Sequence, residues 1–138
     1  MKIKSSFITN SSSTNFILTS KGKPGEADLF DLIGFAKESP FAKHIYDLIY
    51  HIVYYINPAN EFFKESRYSK SCKDFEGFVR KHFTEESLSK VRDAKSSGKQ
   101  IFCGSFSSEE AMFLSFFCCD SILIENDEIY FDATECSW

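Results

Sequence analysis

The spacing of apolar positions changes twice along this chain and divides it into three parts. Residues 1–20 hold two short β-prone runs, Ile3 to Ile8 and Phe16 to Thr19, on either side of a polar loop of hydroxyls and amides. A turn, Lys21-Gly22-Lys23-Pro24-Gly25, closes this part. Over residues 26–98 the spacing becomes helical. Leu29, Leu32, Ile33 and Ala36 predict a helix from Glu26 to about Lys37, and acidic Glu26 and Asp28 suit its positive end. Ser39-Pro40 predicts a restart, an N-cap hydroxyl followed by proline at the first helical position. Phe41, Ile45, Leu48, Ile49, Ile52, Val53 and Ile56 then line one face of a second helix. Asn57-Pro58 ends it, because the residue before proline is pushed out of helical geometry. A short helix is expected over Ala59 to Glu65, a loop over residues 66–71, and a helix over Lys73 to His82. Thr84 caps a further helix, polar and mostly exposed, that ends near Gly98.

From residue 100 the period shortens again. Gln100 to Phe106 reads as a strand. Ser107 and Glu110 stand three apart, as in a capping box, before a short apolar helix through Met112, Phe113, Phe116 and Phe117. Ser121 to Glu125 and Glu128 to Ala133 form a hairpin around Asn126-Asp127, residues that tolerate positive φ. About five largely antiparallel strands and five or six helices predict a single α+β domain over residues 1–138, with the helices packed on one face of the sheet.

Composition adds three constraints. At 138 residues the chain is large enough to bury one sizeable core, and its sixteen phenylalanines and six tyrosines promise rings left over for a surface. No apolar run reaches the length of a membrane span, and a serine-rich stretch stands where a signal peptide needs an apolar one. The five cysteines are odd in number, none lies in a Cys-x-x-Cys pair, and Cys118 and Cys119 are adjacent. Reduced thiols in a cytoplasmic protein are expected. Charge is segregated: residues 100–138 contain no Lys or Arg and carry −8, residues 1–99 carry +4, and the net is −4. An acidic segment of this kind repels nucleic acid and attracts basic surfaces, unless its charges pair within the fold.

The opening residues carry a resemblance. Ser6-Phe7-Ile8-Thr9-Asn10-Ser11-Ser12-Ser13 and Phe16-Ile17 are similar to the start of a group of small proteins from phages and low-GC bacteria. Those proteins begin Met-Lys-Ile-Arg and continue Ser-Phe-Val-Thr-Asn, a serine run and Phe-Ile. The chain departs at Thr14-Asn15, where the group continues with serine. Gly104-Ser105-Phe106-Ser107-Ser108-Glu109 resembles a second shared element. The resemblance implies a phage or mobile-element origin and a cytoplasmic life. It implies no reaction, since no catalytic residues are assigned to the group.

Four sets of residues carry candidate chemistry. His44, Asp47 and His51 share one face of the second helix at spacings of three and four, and imidazole with carboxylate can hold a divalent metal. A simple surface pair between Asp47 and His51 is the more ordinary account. Ser11, Ser12, Ser13 and Thr14 offer hydroxyls and backbone N–H groups to an anion, but the loop lacks the glycine and lysine of phosphate-binding loops. Cys72, beside Lys73 near a helix start, is placed to favour thiolate but has no partner legible in the sequence. Tyr46, Tyr50, Tyr54 and Tyr55 give the second helix more aromatic surface than one core-facing side needs.

The expectation is a non-catalytic protein-binding module with no cofactor, no metal, no membrane and no direct nucleic-acid contact. In its sharpest form it is a phage accessory protein that inhibits a bacterial defence system, as an anti-CRISPR protein does. Glu125, Asp127, Glu128 and Asp132 would cover a basic nucleic-acid groove on the target, with Tyr50, Tyr54 and Trp138 as apolar anchors. Two alternatives stand beside it: a small enzyme or ligand-binding domain using the serine loop for a phosphate or nucleotide, and a homo-oligomer without a foreign partner.

Overall fold

A computed structural model describes residues 13–34, 38, 42–107 and 122–134. Its centre is β1 (Ser13–Ser20), in which every residue from Thr14 to Ser20 is buried. A run as apolar as Phe16-Ile17-Leu18 sends side chains to both faces of a sheet, so both faces must be covered. Along the chain follow α1 (Glu26–Ile33), α2 (Ala42–Tyr55), β2 (Asn57–Pro58), α3 (Ala59–Glu65), α4 (Tyr68–Ser71), α5 (Phe75–His82) and α6 (Glu85–Ser97). β3 (Gln100–Ser107), β4 (Ile122–Glu125) and β5 (Tyr130–Ala133) complete one sheet of order β2-β3-β1-β5-β4, antiparallel throughout. This is the expected single-domain α+β arrangement.

The helices occupy both faces of the sheet, which corrects the one-sided packing read from the sequence. Phe16, Leu18, Phe102, Phe131 and Ala133 pack against Leu29, Phe30 and Leu32 of α1 and Leu48, Ile49, Ile52 and Val53 of α2. Ile17 and Cys103 point the other way, into a second cluster with Phe63, Tyr68, Phe75, Phe78, Val79, Leu88 and Val91 from α3 to α6. The alternation along β1 therefore sorts the helices among the described residues into two layers, two on one side and four on the other.

The local signals held at most element ends. Thr84 Oγ1 accepts from the Ser87 N–H at 3.2 Å and caps α6, and Asp74 Oδ1 accepts from the Gly77 N–H at 2.8 Å and caps α5. α1 stops earlier than its periodicity predicts, because Gly34 takes φ 91° and ends it in the left-handed conformation. Residues 68–71, expected as loop, make one helical turn that seats Tyr68 in the core. The two-residue β2 carried no strand signal. It pairs with Phe102 and Cys103 as the chain leaves α2. The hairpin is closed differently from expectation: among the described residues no non-glycine has positive φ. Instead Asn126 Oδ1 accepts from the Glu128 and Ile129 N–H groups at 2.9 and 2.7 Å, a side chain standing in for a backbone acceptor. The strand expected over Ile3 to Ile8 and the apolar helix through Met112 and Phe117 fall outside the described residues, as does the capping box apart from Ser107, which ends β3. No helix among the described residues is long and apolar enough to cross a membrane.

One close approach fixes the register of β1 on β3. Phe16 lies opposite Gly104, and a Cβ on Gly104 would stand 2.5 Å from the Phe16 ring. The ring thus lies over bare backbone. Gly104→Ala is expected to destabilise the fold by about 1–3 kcal/mol through overpacking, with an unchanged denaturant slope in urea unfolding. A variant as stable as the parent would mean that the ring does not lie there.

Candidate functional site

α2 presents two unlike sides. Leu48, Ile49, Ile52 and Val53 face the core, and the apolar spacing that buries them leaves the other side to Tyr46, Tyr50 and Tyr54, four residues apart. These three and Tyr55 are 41, 43, 56 and 59% exposed, so about half of each ring meets solvent. The rings follow one another in a row. Tyr46 and Tyr50 have centroids 6.3 Å apart, Tyr50 and Tyr54 4.6 Å, and Tyr50 and Tyr55 6.4 Å. At the start of the row, the Glu26 charge on α1, together with burial and a hydrogen bond to that carboxylate, raises the Tyr46 phenol above its ordinary range.

His51 closes the flank of this face and is itself buried. Its Nε2–H donates to the Ser105 carbonyl at 2.8 Å, and its ring stacks on Tyr55 at 5.0 Å. Ser105 lies on β3 beyond the short β2, so the imidazole takes the place of a missing strand partner. One imidazole nitrogen is therefore committed to a backbone carbonyl, and the ring is buried rather than exposed. The side chains of His44 and Asp47 lie outside the described residues, and no group of three metal-ligating side chains occurs among those described.

The acidic hairpin is divided by strand alternation. Glu125, Asp127 and Glu128 are exposed. Glu125 accepts from Lys90 Nζ at 2.8 Å, and this carboxylate holds the ammonium above its ordinary range. A small cleft of polar residues, among them Lys90, Lys99, Asp93, Glu125 and Asp127, surrounds this pair, so part of the segregated charge is matched locally. Asp132 does not belong to the surface set. It lies opposite Ile17 and points with it beneath α6, fully buried. Its Oδ2 accepts from the Ser87 and Tyr130 hydroxyls, and its Oδ1 accepts from the Thr134 N–H at 2.9 Å. Tyr130 OH is also 2.8 Å from Ser87 Oγ. A carboxylate so enclosed ties α6 to β5 and offers no charge to a partner.

Ser11 and Ser12 of the anion-loop reading, and the anchor Trp138, fall outside the described residues. Ser13 and Thr14 belong to β1 and not to a loop. Thr14 is fully buried, and its Oγ1 finds no hydrogen-bond partner among the described residues. Asn15 turns its Nδ2–H to Tyr68 OH at 3.0 Å, and Arg67 donates to the same oxygen at 3.3 Å. Neither Ser87 nor the Asn15–Tyr68 pair was singled out from the sequence. A polar residue inside an apolar strand signals that a partner is needed, but the partners lie 45 and 53 residues away. Cys72 is half-buried and precedes the α5 cap by two residues, and burial pushes the Cys103 thiol up. Comparison with protein-family models, curated proteins and solved structures finds no match.

The polar knot under α6 has a pH signature. Burial, the largest cause, pushes the Tyr130 phenol up to about 12. Folding thus favours the protonated phenol, and its contribution is complete below about pH 10 and is lost as pH rises toward 12. Urea midpoints measured from pH 9 to 12 are expected to fall more steeply for the parent than for Tyr130→Phe. Parallel pH profiles would contradict this placement of the phenol.

Proposed function

We propose that the protein is a binding module without a catalytic centre of its own, and that it engages another protein through the tyrosine face of α2. The observation that carries this reading is the contiguous row of four half-exposed rings on a helix whose opposite side is already committed to the core. Tyrosine combines a large rigid apolar area with a hydroxyl that tolerates water, which is why it dominates protein interfaces. The exposed carboxylates of the hairpin tip, Asp127 and Glu128, add charge without a buried cost. In the phage or mobile-element setting implied by the N-terminal motif, the partner is a host defence protein, and binding occludes a basic nucleic-acid surface on it.

Capture from a bacterial host lysate, with the parent protein and a Tyr50→Ser/Tyr54→Ser variant side by side, tests this. A single stoichiometric partner is expected with the parent. Each ring removed is expected to weaken it by about 2 kcal/mol, roughly thirtyfold, at unchanged thermal stability. Asp127→Lys/Glu128→Lys is expected to weaken the same complex and flatten its salt dependence. A partner held equally by parent and tyrosine variant would refute the α2 assignment.

A further inference from the structure

The tyrosine row is not uniform, and its irregularity points to a particular ligand chemistry. Tyr50 and Tyr54 are in contact, with centroids 4.6 Å apart and planes 40° apart, and nothing fits between them. Tyr46 and Tyr50 are wider, at 6.3 Å, and closer to parallel, at 30°. A flat group stacked between two rings needs about 7 Å, twice the ordinary contact distance of about 3.5 Å. A small rotation of two exposed side chains supplies the difference. Glu26 stands at this same end of the row, close enough for its charge to act on the Tyr46 phenol. α1, which carries Glu26, has no basic residue of its own. Two electron-rich rings therefore stand together with a carboxylate at one end.

Resting on the reading of α2 as a docking face, we infer that the Tyr46–Tyr50 gap with Glu26 is a receptor for an arginine side chain of the partner. The guanidinium matches each part of the site. It is flat and stacks on aromatic faces, its charge is attracted to the ring quadrupole, and its fork of N–H donors matches a carboxylate. It is also more weakly hydrated than an ammonium, so it gives up water more readily to enter between rings. Lysine carries the same charge but cannot stack or fork. The site thus selects arginine over lysine at equal charge, and a basic nucleic-acid-binding surface is rich in such side chains.

Hexaarginine and hexalysine peptides test this, because they carry equal charge on guanidinium in one case and ammonium in the other. Titration into the full chain is expected to show hexaarginine binding about fivefold more tightly, with shifts in the ring resonances of Tyr46 and Tyr50. Tyr50→Leu, which keeps apolar bulk, and Glu26→Gln are each expected to reduce the preference to less than about twofold. Both positions are at least partly exposed, and unchanged thermal unfolding of the variants shows that the fold is intact. Equal binding of the two peptides, or a preference that survives both substitutions, overturns the arginine site. If the preference is absent while the captured partner still requires Tyr50 and Tyr54, the arginine site alone is wrong. If capture ignores both tyrosines, the docking face itself is wrong.

Discussion

Everything in this fold hangs on covering β1 on both faces at once. Phe16 and Leu18 demand apolar partners on one side, and Ile17 demands them on the other. Both edges of the strand are also paired, with β3 over its whole length and with β5 over three residues. No sheet with helices on one face meets these demands. The chain meets them by sending α1 and α2 to one layer and α3 to α6 to the other, so each layer packs on a face that β1 has already defined.

This constraint decides what the polar residues can do. Asn15 and Asp132 lie on the Ile17 side, under the four-helix layer, and must find partners there. They find Tyr68 and Ser87, so the buried polar groups fasten helices to the sheet rather than serve a ligand. The same alternation places Glu125 near Lys90 on α6 and leaves the hairpin tip in water. On the opposite layer α2 covers the sheet with one side only. Its other side is therefore free to carry surface chemistry at little cost to the core, and it carries tyrosine.

Much of this was legible locally. Thr84, Gly98, Pro58 and the apolar spacing of α2 report on themselves and their nearest neighbours, and the elements they mark are present. The exposed flank of α2 was legible for the same reason, because helical spacing sorts Tyr46, Tyr50 and Tyr54 away from Leu48, Ile49 and Ile52. What failed to show was set by pairing at a distance. Asp132 looks like a hairpin surface residue until β5 is placed beside β1, which fixes the face it takes. His51 looks like a surface residue until β2 proves too short to cover Ser105. Thr14 looks like loop until β3 extends alongside it. The Phe16-Ile17-Leu18 run did contain the two-layer answer, since a strand apolar at consecutive positions is buried on both sides.

A surface built this way has a direct physical address. A photoreactive phenylalanine analogue placed at Tyr54, and separately at Arg80 on the exposed side of α5, reports which layer meets the partner in host lysate. The account predicts one discrete adduct from position 54 and none from position 80. An adduct from position 80 alone, or equal adducts from both, would contradict the assignment of binding to α2.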